Sequence, residues 1–232
     1  MSDHAPLHEA LSVFREAVNW KTYWSKSIAP FIGNRVLEVG AGVGANTALM
    51  IDAVPNRTWV CMEPDVRLVN ALDVEAAETP LVIASTIDAF AETVNFDTIL
   101  YIDVLEHIED DEGELLRATD LLAPGGRLIV LSPAYNFLYS EFDRAIGHFR
   151  RYTSRSLRDL TPNGMRLVSM RHLDSVGLLL SLANRVLLRQ NQPTRRQILI
   201  WDRVIVRLSR LIDPLIGYTA GRSIIAVWER TA

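Results

Sequence analysis

Residues 35–47 read RVLEVGAGVGANT: a short apolar, β-branched run, a glycine turn, and the start of a helical pattern. No other stretch restricts the fold as tightly. A strand that ends in glycines and restarts as a helix is the first unit of a parallel α/β sheet. The free N–H groups at such a helix start can hold an anionic or nucleotide ligand. Gly40, Gly42 and Ala45 fill the three slots of G-x-G-x-x-G/A. Gly40 and Gly42 permit tight turns and close approach of the backbone to a ligand. Glu63 lies 23 positions after Gly40, near the ~20-residue offset of a ribose-binding acid.

The pattern after the loop alternates. TWVCMEP reads as a second strand, and DVRLVNALDVEAA as a helix capped by Asp65. PLVIAS and FDTILYID are strands three and four. DDEGELLRATDLL is a helix with acids in its first turn, and after a PGG turn RLIVLSP is strand five. Strands alternating with helices predict a parallel sheet with right-handed crossovers. A helix over 6–28 precedes the sheet, with Leu7, Leu11, Phe14 and Val18 at spacings of three and four. Residues 133–152 are aromatic and basic without clear periodicity. A helix near 153–160, a strand near 165–172, two more helices and a last strand, SIIAVWER, follow. The helix near 198–215 carries an apolar stripe from Trp201 through Val204, Ile205, Leu208, Leu211 and Ile212 to Leu215. At helical spacing such a stripe is expected to be core.

Apolar residues make up 49% of the 232, enough for a sizeable core. Cys61, alone in an apolar run, is expected to be a buried thiol. Neither a leader pattern nor an apolar run of ~18–20 residues is present, so the expected location is cytoplasmic. The net charge of −4 conceals an asymmetry: residues 1–143 hold 8 basic and 23 acidic side chains, residues 144–232 hold 16 and 5. The basic third faces either an anionic partner or the acidic body of the same molecule.

Glu38, inside the first strand, favours a cationic ligand over a dinucleotide. A carboxylate there needs an ammonium group or the loop's own N–H groups to satisfy it, and a pyrophosphate would not. VLEVGAGVG, MEPD, FDTILYIDVLEHIEDD and LLAPGGRLIVLSPA, in order and spacing over roughly 20–172, resemble the class I S-adenosylmethionine-dependent methyltransferases of the type 11/12-like group. The resemblance implies a single domain over 1–232 with a Rossmann-like seven-stranded sheet in the order 3-2-1-4-5-7-6. Strand seven is antiparallel and helices cover both faces. RLVSMRHL becomes strand six and SIIAVWER strand seven. S-adenosylmethionine is the implied cofactor. Glu38, Gly40, Ala41, Gly42 and Gly44 correspond to its loop, and Glu63 to the acid on its ribose. Pro64, Thr86 and Ile87 correspond to the border of its adenine, and Asp103 and Val104 lie beneath its sulfur. Relatives carry an acid where Thr86 stands; here Asp88 follows instead.

Methyl transfer requires alignment and, for an oxygen acceptor, a base. Of five histidines, His4 and His8 lie near the terminus and His172 on a strand, leaving His107 and His148. Asp103, Glu106 and His107 form D-x-x-E-H, close to an E-x-x-E-H pattern that binds a divalent ion in some quinone-pathway and RNA-end methyltransferases; a metal here is the lesser expectation. SPAYNFLYSEFDRAIGHFRRYT resembles the G-H-x-R-R-Y element of bacterial methyltransferases that accompany glycan assembly. It is read as a lid over 133–152. His148, His107 and Tyr152 are candidate catalytic residues. Tyr135 and Tyr139 would line the acceptor pocket, and Arg150 or Arg151 would meet an acceptor phosphate or carboxylate. Alternatively the arginines tie the lid to Glu141, Asp143 or the acids of 109–114. The expected function is methyl transfer to a small-molecule, glycan or lipid-linked acceptor. The alternatives are a metal-assisted O-methyltransferase of a phenolic or quinone-like metabolite and a non-catalytic binding subunit. A helical insertion over 173–218 would shape the acceptor site. Residues 185–210 carry seven arginines and one acid, Asp202. They are a helical cover, a dimer face, or a peripheral contact with the inner membrane face. Nucleic acid is not expected, since no RNA-binding module accompanies the basic third.

Overall fold

A computed structural model describes residues 16–76, 78–90, 95–187 and 194–231, with side chains of 184–187 excepted. The strands are β1 (Arg35–Val39), β2 (Thr58–Met62), β3 (Leu81–Ile83), β4 (Phe96–Ile102), β5 (Leu122–Pro133), β6 (Met165–Leu173) and β7 (Ser223–Arg230). They form one sheet in the order β3-β2-β1-β4-β5-β7-β6. β3 through β5 run parallel, and β7 pairs antiparallel with both β5 and β6. This is the expected order and the expected antiparallel strand.

Alternation along each strand divides the core between two faces. Leu37, Val60, Met62, Ile99 and Tyr101 belong to one apolar cluster. Val36, Trp59, Cys61, Leu100 and Ile102 belong to the other. Cys61 is a buried free thiol, as expected. Around the sheet stand α1 (Val18–Ile28), α2 (Thr47–Ala53), α3 (Val66–Asn70), α4 (Asp111–Asp120), α5 (Glu141–Ala145), α6 (Ser154–Asp159), α7 (Ser175–Leu187), α8 (Arg195–Ile200) and α9 (Val206–Leu215). A π-helical segment, Trp201–Ile205, joins α8 to α9. Of the helix expected over 6–28, residues 6–15 lie outside the described residues, as do His4 and His8.

Two boundaries differ from the sequence expectation. The helix expected over 65–77 stops at Asn70, and the chain beyond it folds back so that Leu72 and Val74 pack against Gly44. β5 begins at Leu122, so the PGG expected as a turn lies within the strand. Gly125 takes φ +74° there, and the β4–β5 register shifts between Phe96 and Thr98.

The largest departure is α9, whose stripe was expected to be core. Its buried side instead carries Asp202, Val206, Ser209 and Asp213, while Leu211 is 70% and Leu215 84% exposed. The buried acids do structural work. Asp202 accepts from the N–H groups of Asn19 and Trp20 at the start of α1. Asp213 accepts from the Tyr23 hydroxyl at 2.7 Å and from the N–H groups of Asp174 and Ser175 at the start of α7. Asp174 accepts from Gly177 N–H, the Ser209 hydroxyl and the Trp201 indole. All of these donors except Gly177 N–H would lose their acceptors if the helix rolled its stripe inward, so the polar network outweighs the apolar pattern. Asp213→Ala should cost about 2–4 kcal/mol by stranding three buried donors. Leu211→Ala, in spite of its apolar loss, should cost less than about 0.5 kcal/mol; urea denaturation of both variants checks the inversion.

Candidate active site

The glycine loop, Glu63, the segment after β4, residues 133–152 and the start of β7 all meet at the carboxyl edge of the parallel strands. The loop is tied to β2: the N–H groups of Gly40 and Ala41 both donate to the Met62 carbonyl. Gly40 adopts φ +71°, and a Cβ there would collide with the Val104 side chain. Gly42, at φ +59°, has open space where its Cβ would stand. Glu63 accepts from Gly42 N–H at 2.9 Å and from Asp65 N–H at 3.0 Å. Gly44 and Ala41 are packed into the loop's underside. Pro64 is exposed beside Glu63, and Asp65 caps α3 by accepting from Arg67 N–H. Thr86 is exposed, whereas the Ile87 side chain is buried in an apolar cluster of the core.

Glu38 differs from the expectation. Its carboxylate is satisfied not by loop amides but by the Trp59 indole of β2 at 2.9 Å and by the Thr47 hydroxyl of α2. It therefore braces the strand and helix beneath the loop. Burial pushes its pKa up to about 7 against those two hydrogen bonds.

Residues 133–152 are closed at the base, where Tyr135 N–H donates to the Tyr152 carbonyl and Tyr152 N–H to the Pro133 carbonyl. Inside, Asp143 is a hub. It closes a capping box with Ser140 at the start of α5, meets His148 Nδ1 at 3.0 Å, and takes a two-pronged bond from Arg151 at 2.8 and 2.9 Å. Burial acts to raise its pKa, but His148, Arg151 and Ser140 hold it well below the usual carboxylate range. Tyr139 donates to the His148 carbonyl at 2.6 Å.

The arginines take up the internal pairing expected as their alternative role. Arg151 is committed to Asp143, and Arg150 to Asp111 at 2.7 Å and the Glu109 carbonyl. They tie the segment to the acidic body instead of offering themselves to an acceptor. Tyr152 is buried and donates to Asp111 at 2.8 Å, and burial together with that acid raises its hydroxyl pKa, so it links the segment to the head of α4. Tyr135, at φ +66°, stacks on Phe137 and His172.

His148, His107 and Glu106 converge. The two rings meet edge to face at 4.5 Å. Glu106 is fully buried; one oxygen accepts from the Ser132 hydroxyl, and the other, Oε1, lacks a hydrogen-bond partner and lies 3.9 Å from His148 Nε2. Burial, then the charge of Asp103, pushes its pKa well above the usual range. Burial, then His148, pushes His107 down to about 4, so that ring is neutral at physiological pH. The three side chains present ligand atoms within 4.8 Å of one another. Asp103, expected as a third ligand with Glu106 and His107, is not part of that group; His148 takes its place. Asp103 stands at φ +54°, reached by solvent through the open cleft but crowded by protein on its other sides. That crowding, opposed by His148 and Arg222, lifts its pKa to about 6, an upper value because water reaches it.

Arg222 was missed in the sequence, and Asp143 was named there only as an alternative partner of the arginines. Arg222 immediately precedes β7, and the antiparallel sense of that strand delivers it to the cleft. Its guanidinium stacks on Trp201 at 4.9 Å. Burial lowers its pKa against the fields of Asp174, Asp143 and Asp103. The antiparallel seventh strand was the available signal, since its first residues must lie at the ligand edge.

Residues 37–128 match a family model described as a methyltransferase domain. The chain is 28% identical to the ubiquinone biosynthesis O-methyltransferase of Ralstonia nicotianae over 132 residues, covering 55% of this chain and 52% of that protein. It is 29% identical to the protein of the same name from Paracidovorax citrulli, covering 54% and 51%. The chain thus spans about half the length of the curated relatives it matches. Among solved structures, the plantazolicin methyltransferase BpumL in complex with SAH superposes with a TM-score of 0.58 at 10% identity, covering 95% of this chain and 84% of that one. The N-methyltransferase NodS from Bradyrhizobium japonicum WM9 superposes with a TM-score of 0.54 at 17% identity, covering 95% and 98%. The strand order is that of the expected Rossmann-like fold, and residues 37–128 carry the matched methyltransferase-domain segment within it.

The raised pKa of Glu38 has a sign. Between its unfolded value near ~4.3 and about 7, the folded state holds a proton that the unfolded state has released. The contribution of this group to stability is therefore full below the unfolded value and falls as pH rises through about 7. Glu38→Gln should gain stability relative to the parent between pH 5 and 8 by up to about 3 kcal/mol, and show no such gain at pH 4; paired denaturation curves at these pH values measure the difference.

Proposed function

We propose that the protein is an S-adenosylmethionine-dependent methyltransferase acting on a small-molecule, glycan or lipid-linked acceptor. The observation that carries the reading is the pairing of Glu63 with the open, positive-φ Gly42 at the rim between β1 and β2. Two amides use part of the Glu63 carboxylate. A carboxylate offers about four lone-pair sites, which leaves room for the two hydroxyls of a ribose. Gly40, Ala41, Gly42 and Gly44 would hold the donor along the loop, with Pro64 and Thr86 bordering its adenine. When bound, the donor supplies a methyl group on positive sulfur.

The chain's own residues supply alignment and a base. With Asp143 ionised, His148 keeps its proton on Nδ1, directed at Asp143, and leaves Nε2 as an acceptor; this tautomer is assigned from the network. Nε2 takes the proton of an acceptor hydroxyl, and Asp143 stabilises the imidazolium that results. His107 is neutral, and burial pushes the Glu106 carboxyl toward its neutral form, which limits competing charge beside that ring. Arg222 is the cation at the acceptor side, suited to an acidic group on the acceptor.

A second reading, a metal-assisted O-methyltransferase of a phenolic or quinone-like metabolite, draws on the Glu106, His107 and His148 group and on the name of the Ralstonia relative. Glu63→Ala should weaken S-adenosylhomocysteine binding by at least about tenfold in calorimetry, the loss of charge-assisted bonds. Tight binding of NADH without binding of S-adenosylhomocysteine would end the first reading. His148→Ala should lower turnover about 100-fold or more and leave S-adenosylhomocysteine affinity unchanged; equal losses in both assign His148 a structural role. Activity that survives exhaustive chelation removes the metal-assisted reading.

A further inference from the structure

The outer face of α8–α9 is unpartnered among the described residues, and its orientation is enforced from within. Ile200, Val204, Leu208, Leu211 and Leu215 are all exposed. Their spacing of three and four places them on one side of the helix. Arg196, Arg203 and Arg207 are exposed in the same segment. The segment 194–216 contains two acids, Asp202 and Asp213, and both are buried and bonded inward to α1 and α7. The solvent side of this segment therefore presents apolar side chains and guanidinium groups and no acid of its own; Glu16, ahead of α1, pairs with Arg195 at its edge. α7, which packs against α9, adds exposed Leu179 and Leu180. Apolar faces of this extent mark interaction sites.

We propose that this face docks on an anionic lipid bilayer, with the helix lying in the interface plane. The apolar stripe would enter the acyl boundary, and the arginines would meet lipid phosphates. Charge complementarity selects this occupant over a second copy of the chain, because a two-fold interface sets the same arginines against each other. The face adjoins the acceptor side of the cleft: Trp201, at the junction of α8 and α9, carries the Arg222 guanidinium on its ring. A docked molecule would thus hold its cleft beside the membrane surface, where a lipid-linked acceptor would be presented. No described helix is long and apolar enough to cross a membrane, which agrees with a contact that lies on the bilayer. The docking itself does not depend on the methyl-transfer reading.

The test is co-sedimentation of the full chain with phosphatidylglycerol-rich and with pure phosphatidylcholine vesicles at low salt. The same preparations are measured for melting temperature, S-adenosylhomocysteine affinity and mass by light scattering. The chain should prefer the anionic vesicles on the order of 100-fold, the effect of about three arginines near the surface, and high salt should reduce the preference. Leu211→Glu with Leu215→Glu should abolish sedimentation while melting temperature and S-adenosylhomocysteine affinity stay at parental values. Arg203→Gln with Arg207→Gln should lose most of the preference for anionic lipid. Absence of parental binding, or binding untouched by the double Glu change, overturns the proposal. So does a parental dimer that the double Glu change dissociates, which would make a second copy the occupant. A large fall in melting temperature for that variant would instead show the face covered by the chain's own residues, and also overturns it. Loss of S-adenosylhomocysteine binding by the parent, with vesicle binding intact, would sink the methyltransferase reading and leave the docking surface standing.

Discussion

One carboxylate joins the two elements on which the ligand edge depends. Glu63, at the end of β2, accepts from the Gly42 amide of the loop after β1 and from the amide of Asp65 at the cap of α3. Without it the loop would be held to β2 only through the Met62 carbonyl. The loop's shape also depends on glycine at position 40, because Val104 from the segment after β4 fills the space a Cβ would need. Three successive crossovers of the sheet are therefore locked at a single point. Beneath that point Glu38 braces β2 and α2 through Trp59 and Thr47.

The segment over the cleft is held by a second carboxylate economy. Asp143 is shared by the α5 cap, His148 and Arg151. Asp111, at the head of α4, takes Arg150 and Tyr152. The arginines of the G-H-x-R-R-Y stretch are thus largely internal, and the basic third partly neutralises the acidic body of the same molecule. What remains at the cleft is the His148 ring with the unpartnered oxygen of buried Glu106 behind it, Asp103 and Arg222.

The insertion between β6 and β7 inverts the ordinary logic of an amphipathic helix. Burying Asp202, Ser209 and Asp213 completes the hydrogen bonds of α1, α7 and Tyr23. Turning the helix to bury leucines instead would leave those donors unsatisfied, at a cost of the order of 1–3 kcal/mol each. The apolar stripe is displaced outward by that requirement.

The sheet was legible because its signals are local. Glycines after a β-branched run, the offset to Glu63, and strands spaced by helices of ordinary length specify a parallel sheet and its ligand edge. The family resemblance supplied strand seven between five and six, which periodicity cannot order. Side-chain roles were less legible. Which acid meets Arg151, whether Glu38 faces the loop or Trp59, and that His148 displaces Asp103 beside Glu106 depend on distances between residues far apart in the chain. The same holds for α9: its stripe is plain in the sequence, but the face that is buried depends on where the amides of α1 and α7 fall in space. The sequence by itself determined the layers and the rim, since those follow from backbone conformation and burial pattern. Only the tertiary structure decided which charges cancel inside and which face the cleft or the outside, since electrostatic pairing is set by proximity and not by order along the chain.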